Sequence, residues 1–99
     1  MNDNLVITNN VVKVKDHISA LAMRAACDKL FNYIESLPTD SVTVDFDTFS
    51  IASRSFIHQY LMRKAQSKKR INEINLHPFL DRMFYTVKRQ IEEDMRIFP

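Results

Sequence analysis

Hydrophobic positions along this chain repeat with two periods, one of two residues and one of between three and four. Val12 and Val14 alternate with Lys13 and Lys15, the pattern of a strand with one buried and one wet face. Leu5 to Thr8 and Val11 to Lys15 flank Asn9-Asn10, and asparagine is the best non-glycine residue for the left-handed positions of a two-residue turn, so the pattern predicts a β-hairpin. Met23, Ala26, Cys27, Leu30, Phe31 and Ile34 then recur at helical spacing while Arg24, Asp28, Lys29 and Glu35 fall on the other face. This predicts an amphipathic helix over about 17–36, capped by Asp16 or Ser19 and closed by Leu37-Pro38.

After the turn Pro38-Thr39-Asp40, Val42, Val44 and Phe46 alternate with Thr43 and Asp45 in a β-branched strand. A bridge from Asp47 to Ala52 carries Phe49 and Ile51, both expected to pack downwards. Phe56, Ile57, Tyr60, Leu61 and Ala65 mark a second helix opened by Ser53-Arg54-Ser55 and ending in cations, which the helix dipole favours at that end. Ile71 to Leu76 predicts a further strand. His77-Pro78 starts a third helix, whose stripe of Leu80, Met83, Phe84, Val87, Ile91 and Met95 carries it to about residue 95. The order is β-hairpin, α, β, α, β, α. That predicts an α/β fold, a small mixed sheet of about four strands covered by three helices.

Composition narrows the functional classes more than it names one. The chain has 99 residues, room for a single domain over 1–99, and its 45% hydrophobic and 26% charged residues are ordinary for a folded one. A net charge of +2 implies neither nucleic acid nor a membrane surface, and no apolar run approaches a membrane span. One cysteine, in the stripe of the first helix, cannot make an internal disulfide, which points to a reducing compartment, and MNDNLVITNN has no basic region followed by a long apolar one, so a soluble cytoplasmic protein without a leader segment is expected. There is no glycine at all. Phosphate loops, dinucleotide fingerprints and nucleophile elbows are therefore missing, and positions needing φ > 0 fall to Asn or Asp or are avoided.

The remaining candidate chemistry lies at the carboxyl end of the 42–46 strand, where open α/β sheets place their sites. Asp47, Ser53, Arg54, Ser55 and His58 gather there in sequence, with Ser53 and Ser55 readable as helix caps or as functional hydroxyls. Asp45 and Asp47 can bond the local loop or shape an acidic edge. A second cluster, Arg63, Lys64, Lys68, Lys69 and Arg70, could meet nucleic-acid phosphates, though it lacks interleaved aromatics and also reads as a solvated helix end. His17, His58 and His77 have no metal-ligand spacing, so neither a metal nor another cofactor is expected. No nucleophile, base and orienting group can be assembled, so the chain is not expected to be an enzyme.

The run VTVDF, a short apolar bridge and SRSF leading into a helix resembles the STAS-like family of unknown function, relatives of sulfate-transporter and anti-sigma-factor-antagonist domains. A downstream strand ending in Asn75 and a helix carrying Met83 extend the resemblance over about Val42 to Glu92. In antagonist domains the corresponding loop reads Asp-Ser-Ser-Gly, and its second serine is phosphorylated by an ATP-dependent switch kinase that is also the partner. Ser55 stands on that serine, while Ser53, Arg54 and Phe56 replace the acid, the first serine and the glycine. The resemblance implies a STAS-like fold and a non-enzymatic regulatory module. Its partner would be a histidine-kinase-like ATPase, docked through the 47–60 region and released by phosphate on Ser55. Nucleic-acid binding through 63–70 is the alternative. Dimerisation through the hairpin edge, and docking of the apolar end Ile97-Phe98-Pro99 on this protein or a partner, stay open.

Overall fold

The computed structural model describes residues 9–97. Strand β1 spans Asn9–Lys13 and passes through a single 3-10 turn, Val14–Asp16, into a segment without helix or strand; helix α1 then spans Arg24–Ser36. Strand β2 (Ser41–Asp45), helix α2 (Arg54–Gln66), strand β3 (Arg70–Ile74) and helix α3 (Pro78–Ile97) complete the order. The strands form a three-stranded parallel sheet in the order β1-β2-β3. Both crossovers step the same way, so the right-handed rule puts α1 and α2 on one face. There α2 packs between α1 and α3.

Register explains which strand residues are buried. Val12 stands beside Val44, and Val42 beside Ile71, all buried under the helices. The row Val11, Thr43, Asn72 points the other way, and its outer members are exposed. The core centres on Tyr60, fully buried on α2. Its ring lies 5.0 Å from Phe31 of α1, 5.6 Å from Phe46 after β2 and 5.3 Å from Phe84 of α3, each edge to face. Such contacts each contribute about 0.5–1.5 kcal/mol beyond the area they bury. The phenol, which burial would otherwise penalise, donates to Glu73 Oε2 at 2.8 Å, and Lys64 Nζ lies 3.0 Å from both oxygens of that carboxylate.

The structure departs from the sequence expectations in the N-terminal third. Asn9 and Asn10 are no hairpin turn: they belong to β1, in register with Ser41 and Val42 of a parallel neighbour. The sheet of described residues is accordingly three-stranded and parallel rather than mixed and four-stranded; Leu5 to Thr8 lie outside the described residues. Helix α1 begins at Arg24, seven residues later than position 17, because residues 17–23 are tied elsewhere. Ile18 and Leu21 are buried, and the Leu21 carbonyl accepts from Ser53 N–H at 2.8 Å. Neither Asp16 nor Ser19 caps the helix; Met23 holds the cap position with no side-chain bond and is 67% exposed. Ile51 points to solvent, while Phe49 packs on the core as expected. Elsewhere the expected strands and helices recur with shifted ends, and no helix of the described residues is long and apolar enough to cross a membrane.

Candidate functional site

The carboxyl end of β2 is held by one carboxylate. Asp45, 9% exposed, accepts from Asn75 Nδ2 at 3.0 Å, just past β3, and from the backbone N–H of Asp47 at 2.9 Å. The Asn75 bond and then the Asp47 bond hold the Asp45 carboxyl below the ordinary carboxylate range. The chain then turns, with Phe49 N–H donating to the Phe46 carbonyl at 3.1 Å. The third turn position, Thr48, has φ 78°. Asn75, φ 57°, fits the expectation for a chain without glycine; Thr48 does not, being β-branched in the left-handed region. Asp47 is exposed, 3.7 Å from Lys15 across the turn.

Ser53 and Ser55 have different positions and different work. Ser53 caps α2: its Oγ accepts from Phe56 N–H at 3.0 Å and donates to the Ala22 carbonyl at 2.6 Å. Its only proton is thus bound to the 17–23 segment, and the bridge and that segment are locked together. Ser55 lies in the first turn of α2, exposed, and its hydroxyl makes no hydrogen bond among the described residues. Arg54, also exposed, donates to Gln90 Oε1 on α3. His58 does not sit on an exposed rim: it is half-buried, and its Nδ1 is enclosed without a partner among the described residues.

The structure brings Asp47, Ser53, Arg54, Ser55 and His58 to one end of the molecule, the end where α1 and α2 both begin. It adds a stretch absent from the sequence expectation. Residues 19–22 run beside the bridge between two shallow depressions, one reaching Met23 and Lys29, the other Thr48 and Ile51. A helix assigned from position 17 hides this, because Ala20, Ala22 and Met23 then read as ordinary helix positions. The available signal was negative: from neither Asp16 nor Ser19 does an acid or amide follow three positions on to complete a capping box.

The basic cluster is divided rather than pooled. Arg63 donates to Asp28 Oδ1 at 2.7 Å and Asn32 Oδ1 at 3.2 Å, and its guanidinium lies 5.4 Å from the centre of the Phe31 ring. Gln59 donates to the same Asp28 oxygen at 2.8 Å; its bond first, then that of Arg63, lowers the Asp28 carboxyl. Lys64 holds Glu73, and Lys69 Nζ donates to the carbonyls of Leu37 and Thr39, fastening β3 to the loop after α1. Lys68 and Arg70 are exposed at the opposite end of the sheet from Ser55. Among the described residues no three His, Cys, Asp or Glu side chains are grouped to hold a metal. Cys27 is fully buried, and burial, followed by the Asp28 charge, pushes its thiol up to about 12. Compared with known protein families, curated proteins and solved structures, the chain matches none.

Proposed function

We propose that this protein is a non-enzymatic, STAS-like interaction module of the cytoplasm, binding a regulatory protein through the 47–60 region with Ser55 as its switch. The observation that carries the reading is the contrast between two serines two residues apart. Ser53 is spent on the cap and on the Ala22 carbonyl, whereas Ser55 is exposed in the first turn of α2 with an uncommitted hydroxyl. The STAS-like part of the proposal rests on the sequence resemblance carried by VTVDF and SRSF, to which the structure adds a small α/β fold with a three-stranded parallel sheet. A phosphate on Ser55 would bring about −1.5 to −2 charges to a helix N-terminus, which favours anions, while changing the sign of the surface offered to a partner.

The test pairs the protein with ATPase-type kinases encoded near it, measuring complex formation with wild type and Ser55→Ala and locating phosphate by mass spectrometry. A complex that dissociates on phosphorylation of Ser55 is the expected result. Absence of any complex, or phosphate at other serines only, overturns the proposal. Nucleic-acid binding has less support, because Arg63, Lys64 and Lys69 are engaged within the protein.

A further inference from the structure

The end of the molecule that carries Ser55 is unusual in its charge. Acids are favoured in the first turn of a helix, where the dipole is positive, yet neither α1 nor α2 has one there. Each begins instead with an exposed arginine, Arg24 and Arg54. Both guanidiniums are hydrogen-bonded to neutral amides, Gln59 at 3.4 Å and Gln90 respectively, so neither has a carboxylate hydrogen-bond partner among the described residues. Asp28, one turn along α1 from Arg24, is committed to Arg63 and Gln59. Gln59 lies one turn beyond Ser55 on the same side of α2. Ser55 is thus the sequence neighbour of Arg54, which reaches to Gln90 on α3, and stands one helical turn from Gln59, to which Arg24 donates.

Beside these cations lies apolar surface. Met23 and Ile51 are 67% and 69% exposed, and Ala20 and Ala22 stand exposed on the segment between the two depressions. The depression reaching Ile51 is lined by no charged residue, and the other by Lys15 and Lys29 against the single acid Asp16. Around this surface Asp16 stands at the edge and Asp47 pairs with Lys15, but Arg24, Arg54 and Lys29 leave an excess of cations, and exposed apolar surface with such an excess favours a partner of opposite charge.

From this complementarity we infer that the surface takes an acidic amphipathic helix of a partner protein, its apolar stripe on Met23 and Ile51 and its carboxylates on Arg24 and Arg54. This rests on the proposed interaction role and names the chemistry of the partner. It also says how Ser55 would act: a phosphate next to Arg54 in sequence and one helical turn from Gln59, which Arg24 bonds, competes for the cations that hold the partner.

Two synthetic amphipathic helices of about 18 residues, five turns, test it. Both carry one Leu/Ile stripe; the polar face is glutamate in one and lysine in the other. Fluorescence anisotropy and amide chemical shifts of the full chain are the measurements. The glutamate peptide is expected to bind at least roughly tenfold tighter than the lysine peptide, less tightly as salt rises, with shifts centred on 20–24 and 51–59. Arg24→Glu with Arg54→Glu should invert the preference. Met23→Asp and Ile51→Asp, exposed changes checked for folding by circular dichroism, should weaken the glutamate peptide at least roughly tenfold. Ser55→Glu should weaken it as well.

No binding of the glutamate peptide, equal binding of both, or shifts elsewhere overturn the inference. So does concentration-dependent self-association with shifts at the same residues, which makes a second copy the occupant. A natural partner that is released by Ser55 phosphate but contacts the protein through a basic segment overturns the inference and leaves the interaction role standing. A complex indifferent to Ser55 tells against that role instead.

Discussion

Thr48 holds a left-handed backbone that a β-branched residue adopts at a cost of about 1–2 kcal/mol, and its φ of 78° is what the turn after β2 requires. Thr48→Gly removes that cost and adds flexibility to the unfolded chain, so a net gain of about 0.5–1 kcal/mol is expected. Urea denaturation checks it: the midpoint should rise with the slope unchanged. Asp45 makes a pH prediction. Its carboxyl, ordinarily near 3.8, is lowered in the folded protein, so its stabilisation is complete above 3.8 and lost as pH falls through the lower folded value. Asp45→Asn should be less stable at neutral pH and should flatten the acid limb of the stability curve. Asp28 is lowered too, but with its side chain 42% exposed the same change there should flatten it less.

At the scale of elements, α2 separates stability from recognition. Ser53→Ala removes the cap from Phe56 and the bond to Ala22, so a loss of about 1–2 kcal/mol is expected. Ser55→Ala, at an exposed position without a bond, should stay within about 0.5 kcal/mol. Ser55→Glu should stabilise by about 0.3–1 kcal/mol, since it supplies the acid missing from the first turn. Thermal melts of the three variants read this order. A Ser55→Glu protein more stable than wild type yet weaker in binding would place the effect of the charge at the surface rather than in the fold.

The same scale shows what was legible in the chain. Helix α3 is, because one stripe from Leu80 to Ile91 meets one core. β2 is, because Val42 and Val44 are covered by helices and nothing competes with their alternation. The beginning of α1 is not, since Ile18 and Leu21 lie three residues apart and mimic a helical stripe. What holds Leu21 outside a helix is the long-range bond from Ser53, which local spacing does not contain. Asn9-Asn10 fails similarly: its turn preference is weaker than the hydrogen bonds of a parallel ladder set by residues some thirty positions on. The site inherits that error. Ser53, Arg54 and Ser55 were visible at a helix start, but the apolar segment locked beside them was not.

The whole molecule is drawn together at Tyr60, whose ring joins aromatic residues from α1, the end of β2 and α3 and whose hydroxyl reaches β3 through Glu73. One side chain thereby links every helix to the sheet, and loosening it should lower the stability of the domain as a unit. Cys27 offers the means of measurement, being fully buried with its thiol pushed up to about 12. The thiolate is the reactive form, so a thiol reagent at pH 8 should modify Cys27 only through opened molecules, at a rate set by the opening equilibrium. Tyr60→Phe keeps the rings and removes the buried hydroxyl from Glu73, which Lys64 still holds; a loss of about 1 kcal/mol should speed labelling roughly fivefold. Tyr60→Ala removes the rings' common contact as well, and a loss of about 3–5 kcal/mol should speed labelling by more than a hundredfold or leave the chain unfolded. Labelling of wild type at the rate of an exposed thiol, or an equal response to both substitutions, would show that Cys27 opens locally and that Tyr60 does not govern the core as a unit.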